Sequence, residues 1–195
     1  MKKLILSSTL AAALCALAPA SFAGTTVSAG VDRLDVGGGR AMNELNLGVT
    51  SQSGSMLYGA TAALSSPFGG INGVQSRAFA ASVGAIAASV GAVELAPSVE
   101  VGYDKLGDGA LKHVAAGLGT MYSAGDVSAF AGLKLGRAFS ASNRFDSGAY
   151  TAEDVGVGYR VGAGMVTVAL SSTQLPTVGG HLNENRASVS FLETF

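Results

Sequence analysis

Along most of the chain, apolar and polar residues alternate with a period of two, which is the signature of half-buried β-strands. In 151–161, Val155, Val157, Tyr159 and Val161 oppose Asp154, Gly156, Gly158 and Arg160. In 41–50, Leu45, Leu47 and Val49 oppose Glu44, Asn46, Gly48 and Thr50. In 127–139, Val127, Ala129, Ala131, Leu133 and Leu135 oppose Ser128, Gly132, Lys134 and Gly136, with Phe130 the exception. Turn signals divide the chain into ten such segments: 25–34, 41–50, 56–64, 78–87, 93–106, 113–122, 127–139, 151–161, 165–174 and 185–195. Each is close to the ~9–11 residues of a tilted membrane-spanning strand. The closest thing to a helix span outside the leader, the uncharged stretch 78–93, contains Gly84 and Gly91 and is too short for a helix crossing a bilayer, so it reads as a strand and a turn.

Composition narrows the setting. The chain is 48% hydrophobic and only 13% charged, which excludes a disordered segment and is unlike an ordinary soluble domain. The net charge of −1 and the absence of a basic run exclude a nucleic-acid binder. Met1-Lys2-Lys3, the apolar stretch Leu4 to Leu17, and Ser21-Phe22-Ala23 together read as a secretory signal peptide, cleaved after Ala23. The expected domains are therefore a leader, 1–23, and a single folded unit, 24–195. Cleavage removes Cys15, the one cysteine, so the remainder holds no disulfide and no thiolate metal site or nucleophile.

The same alternation suits a soluble sandwich with its apolar face inward and a membrane barrel with its apolar face toward lipid. Two features favour the barrel. The connectors alternate: 51–55, 123–126 and 162–164 are short, whereas 65–77, 140–150 and 175–184 are longer, as in barrels with short turns at one end and loops at the other. Tyr58, Phe79, Tyr103, Tyr122, Phe139, Tyr159 and Phe195 all fall near segment ends on the apolar face, where aromatic girdles belong. The expectation is an all-β, antiparallel transmembrane β-barrel of ten strands, with eight as the competitor if two weak segments are loops.

The final segment, Ala187 to Phe195, resembles the C-terminal signal that the barrel-assembly machinery reads in Gram-negative outer-membrane barrels. Apolar residues occupy 187, 189, 191 and 195, and Glu193 departs from the pattern. The stretch Val114 to Tyr159, with Ser147-Gly148-Ala149-Tyr150-Thr151-Ala152-Glu153, resembles the YfaZ-like family of small outer-membrane proteins. That likeness implies an outer-membrane barrel and brings no catalytic residues.

If odd segments run outward and even segments return, the polar face sets Asp32, Glu44, Asp104, His113, Asp154 and Arg186 near the outer mouth. Glu100 and Lys134 fall at mid-height and Arg160 lies low. Charges inside a narrow barrel must be paired, so the expectation is an ionic plug, with Glu100 meeting Lys134, and Glu44 or Asp154 meeting Arg186. His113 beside an acid also invites comparison with omptin-type outer-membrane proteases, whose motif is not recognisable here. His181 lacks the Ser two residues on that a lipid-A deacylase mechanism would need, and reads as an exposed residue. Arg33 and Arg137 take the lipid-facing parity near the outer end, where guanidinium groups can meet lipopolysaccharide phosphates.

The expected role is structural or surface-interacting, through loops 65–77, 140–150 and 175–184, with a side-chain-plugged lumen. A narrow pore is the alternative, and an enzyme ranks last. No cofactor, metal or catalytic set is expected. The expected partners are outer-membrane lipid, lipopolysaccharide and, through Phe195, the assembly machinery, for a monomer.

Overall fold

A computed structural model describes residues 24–37, 40–65 and 75–195. The expected leader, 1–23, and most of the connector 65–77 lie outside the described residues. The strands are β1 (Thr25–Asp35), β2 (Ala41–Ser53), β3 (Met56–Ser65), β4 (Ser76–Ala85), β5 (Ala88–Val90), β6 (Val93–Leu106), β7 (Gly109–Ala124), β8 (Val127–Ser140), β9 (Gly148–Val161), β10 (Gly164–Thr177) and β11 (Gly180–Thr194). They form one antiparallel sheet in the order β4-β3-β2-β1-β11-β10-β9-β8-β7-β6-β5, and pairing of β4 with β6 closes it. The three-residue β5 continues β4 along β6: Gly84 pairs with Ser98 and Ala88 with Leu95, so one extra residue bulges out between them. The barrel therefore has ten staves, not eight.

Closure also joins the two ends of the sheet in sequence. Backbone hydrogen bonds tie Thr25 to Phe195 in both directions, 3.3 and 2.9 Å, at what we call the terminal rim. The short turns Gly54-Ser55, Gly125-Asp126 and Gly162-Ala163 lie at this rim. Each starts with a glycine near φ +60°, a conformation that two-residue hairpins require and that costs glycine little.

The opposite, far rim differs from the expected pattern. The connector 175–184 is not a long loop: β10 runs to Thr177 and β11 starts at Gly180. The connector 140–150 shrinks to 141–147, because β9 begins at Gly148. That loop is tied across the mouth. Ala141 N–H donates to the Ala110 carbonyl of β7, 3.0 Å, and Asp146 N–H donates to the Pro176 carbonyl of β10, 3.1 Å. Polar and glycine residues at these positions read as turns, yet they continue the strand ladders.

The barrel is inside-out relative to a soluble protein. Val31, Leu45, Val99, Val101, Leu118, Leu133, Leu135, Val155, Val157, Val168, Leu170 and Val189 are exposed on the exterior. A soluble sandwich would bury these side chains; a barrel in hydrocarbon presents them as a band. Tyr58, Tyr122, Tyr159 and Phe195 lie toward the terminal rim, and Phe79, Tyr103 and Phe139 toward the far rim. Six of the seven rings are exposed, and Tyr103, half-buried, pairs directly with Phe79 on the same face.

Replacing outward Val157 by Arg should lower the stability of the barrel in phospholipid vesicles by about 2–4 kcal/mol if the residue sits near the membrane midplane. Urea titration in vesicles reads this, and an unchanged midpoint would place Val157 outside the apolar band.

Candidate functional site

The inward positions hold the ionic network that the sequence analysis singled out, and they stack in layers. A narrow barrel leaves room for one long side chain only where its neighbour is small. Gly102 shows the rule. It pairs directly with His113, and a Cβ there would lie 2.3 Å from the imidazole Cε1. The ring therefore lies over Gly102, between the two inward carboxylates of β6 on either side of that glycine. His113 Nδ1 meets Asp104 Oδ2 at 2.9 Å and Nε2 meets Glu100 Oε1 at 3.4 Å. A ring carrying a proton on each nitrogen would donate to both carboxylates. Tyr150 of β9 stacks on the same ring, with centroids 4.2 Å apart and planes 7° from parallel. Lys134 Nζ donates to the other oxygen of Glu100 at 2.6 Å.

A second cluster lies across the lumen. Arg186 of β11 reaches past β1, donating from Nε to Glu44 Oε2 and from Nη2 to Glu184 Oε2, each at 3.1 Å. The Asn46 amide donates to Asp32, and Ser190 Oγ meets Asn46 Oδ1 at 3.2 Å. Glu44 is almost wholly buried, and its Oε1 has no hydrogen-bond partner among the described residues. A fork-shaped guanidinium between two carboxylates suits burial better than an ammonium would, since it offers fixed donors to both.

Several expected residues take other places. Arg186 engages Glu44 and Glu184 and makes no ion pair with Asp154. Asp154 faces the lumen over Gly132, where a Cβ would come within 2.6 Å of its Oδ1. Arg160 stands apart from both clusters: it is 62% exposed at the terminal rim, 4.0 Å from Asp126. His181 is exposed near the start of β11, opposite Pro176. Arg33 and Arg137 are both exposed, on β1 and β8.

The charges are not at the mouth itself. Among them and toward the far rim, Leu34, Met42, Leu106, Leu111, Ala115, Ala138, Phe145, Tyr150 and Leu175 form one buried apolar cluster, in which Leu34 pairs with Arg186, Leu111 with Asp104 and Ala115 with Glu100. Leu34, Leu111 and Leu175 are 0% exposed. Phe145 comes down from the loop 141–147, held by Ser140 Oγ donating to its carbonyl at 2.7 Å. This cap, together with Tyr150 and Glu184, was missed in the sequence. The signal was present: Leu111 shares the parity of His113, Leu175 that of Thr173, and Glu184 that of Arg186.

Below the cap the lumen is hollow. One space of about 320 Å³ is lined by Asp32, Glu100, His113, Lys134, Asp154 and Arg186 among others. A second, of about 500 Å³, lies toward the terminal rim and includes Gln52, Glu94, Thr120, Phe130, Lys134 and Asp154 in its walls. Lys134 and Asp154 border both.

No protein-family profile matches the chain, and no curated protein matches its sequence. The fold resembles solved structures. The outer membrane protease OmpT from Escherichia coli aligns at 10% identity over 91% of this chain and 98% of its own, with a TM-score of 0.59. An outer membrane channel from Pseudomonas putida F1 aligns at 12% identity over 92% of this chain and all of its own, TM-score 0.49. Neisserial surface protein A aligns at 7% identity over 88% and 96%, TM-score 0.44. At 10% identity the likeness to OmpT is one of fold alone: an antiparallel outer-membrane type of β-barrel.

Replacing Arg186 by Met strands two buried carboxylates, and should destabilise the barrel by about 3–5 kcal/mol. Gly102→Ala should drive the His113 ring off its carboxylates and cost about 1–3 kcal/mol. Denaturant unfolding of the folded barrel measures both. A Gly102→Ala barrel as stable as the parent would show that the ring is not held where the geometry sets it.

Proposed function

We propose that the chain is a monomeric barrel of a Gram-negative outer membrane, with a lumen closed by its own side chains and a structural or surface-interaction role. The observation that carries this reading is the cap. Three leucines without solvent exposure, packed with Phe145 and Tyr150, stand among two paired ionic clusters and toward the far rim. A conducting pore needs a continuous water path, and fully buried apolar side chains of this kind inside a narrow barrel support a closed lumen. Membership of the YfaZ-like family, which the stretch Val114 to Tyr159 resembles, would agree with this reading and would add no chemistry; no family profile supports it.

Export by a cleaved leader, 1–23, and delivery to the assembly machinery belong to this reading. Phe195 faces outward at the seam where β1 meets β11, which is where a C-terminal recognition residue is accessible. The aromatic rings at the two rims would anchor at the two membrane interfaces. The surface available for interaction is smaller than expected, because 141–147 is strapped down and 178–179 is a tight turn. Of the two arginines expected to meet lipopolysaccharide, Arg33 and Arg137, Arg137 is the proposed contact.

A catalytic role for His113 is disfavoured. Both nitrogens are committed to carboxylates, and a ring that donates from both has no lone pair to accept a proton from water. The pore remains the second reading because the two hollows adjoin, with Lys134 and Asp154 in the walls of both. The test is single-channel recording in a planar bilayer. The parent barrel should insert and stay silent, and a Leu111→Ala, Leu175→Ala variant should give discrete current steps. Steps from the parent barrel would put the pore first, and failure to insert would remove the membrane assignment.

A further inference from the structure

Four outward cations form a chain across four neighbouring staves near the far rim. Arg77 on β4 pairs directly with Lys105 on β6. Lys112 on β7 is level with Tyr103, two residues from Lys105 on the same face. Arg137 on β8 is level with Val114, two residues from Lys112. All four are exposed. Every other charged residue of β4, β6, β7 and β8 (Glu94, Glu100, Asp104, His113 and Lys134) has the inward parity. The outward face of these staves is therefore purely cationic.

That arrangement works against the barrel by itself. Like charges directly opposite on a sheet are about 4.5–5.5 Å apart at Cβ and repel. None of the four makes an ion pair among the described residues; Arg77 donates only to the Gln75 amide oxygen, 3.3 Å. The residues 66–74 carry no charge in the sequence, so they bring no counter-ion. Asp108 and Asp146 lie in the connectors 107–108 and 141–147 at that rim, alongside Arg144.

On the same face, interleaved with the cations, Phe79 and Tyr103 pair with each other one step below Arg77 and Lys105, and Phe139 pairs with Lys112 one step above Arg137. Exposed Val101, Val114, Leu133 and Leu135 continue downward. A free anion has no use for the rings and aliphatic surface beneath it. The geometry points to a binding site on β4, β6, β7 and β8 for the phosphorylated headgroup of an outer-leaflet glycolipid, its acyl chains lying along the apolar band. This rests on the outer-membrane reading above. It also separates the two arginines: Arg33 lies on β1, with β11, β10 and β9 between it and β8, and shares its face with Asp35, so it is outside this site.

The experiment uses the full chain refolded in phosphatidylcholine vesicles, with bisphosphorylated lipid A, dephosphorylated lipid A or inorganic phosphate as probes. Native mass spectrometry after extraction reads the retained lipid. The parent should retain bisphosphorylated lipid A, and Lys105→Gln with Lys112→Gln should weaken retention by about tenfold or more, one lost charge-assisted contact being enough for that factor. Arg33→Gln should leave it unchanged. In a neutral maltoside detergent the double variant should melt no lower than the parent, since it has lost only repulsion; that readout separates a binding site from a structural role. Equal retention by parent and variant, or equal retention of dephosphorylated lipid A, would overturn the proposal. Full displacement by millimolar phosphate would overturn the lipid as the source of the anion. A barrel that does not enter vesicles overturns the outer-membrane reading and this site together; one that enters without phosphate preference overturns this site alone.

Discussion

Closure of the backbone hydrogen-bond ladder is the constraint on which everything else depends. In hydrocarbon an unpaired N–H or C=O has no water to fall back on, so a sheet can cross a membrane only if it has no edge. The β4–β6 pairing and the seam between β1 and β11 meet that condition. Once the ladder is closed, the two-residue period of a strand divides every side chain into one of two environments. The apolar set is then outside and everything else is confined to a narrow lumen.

Confinement explains the interior. Long charged side chains fit only against glycine or alanine neighbours, which is why Gly102 underlies His113 and Gly132 underlies Asp154. Low polarity around the pairs makes an unpaired charge costly, and the ion pairs are accordingly shared: Glu100 serves both His113 and Lys134, and Arg186 serves both Glu44 and Glu184. The apolar cap is a second solution to the same crowding. It fills the far mouth with side chains that ask for no partner, and the loop 141–147 contributes Phe145 to it instead of projecting away. The two solutions together leave one hollow among the charges and a larger one toward the terminal rim.

Much of this was legible in residues and parity alone. Val155, Val157 and Tyr159 against Asp154, Gly156 and Arg160 specify a strand and its two faces, and the rings at the segment ends choose lipid over a soluble core. The Glu100–Lys134 and Glu44–Arg186 pairs follow from parity and height, because side chains of opposite charge on one narrow interior have few other partners. Arg160 shows the limit: it has the right parity, but it sits so close to the rim that it reaches water instead of the lumen.

The sequence by itself determined the alternation and which residues face which way, since these depend on a local period of two; it left eight and ten staves open, and pairing around the closed sheet decided ten. Tertiary structure decided where the strands end. Gly148, Gly180 and the polar residues near them look like loop, but cross-strand pairing is cooperative and extends β9, β10 and β11 through them. That extension brings Tyr150 and Glu184 into the interior and sets the cap among the charges and toward the far rim. It also decided which exterior cations are neighbours, because adjacency around a closed sheet depends on register between strands far apart in sequence, and no local pattern records it.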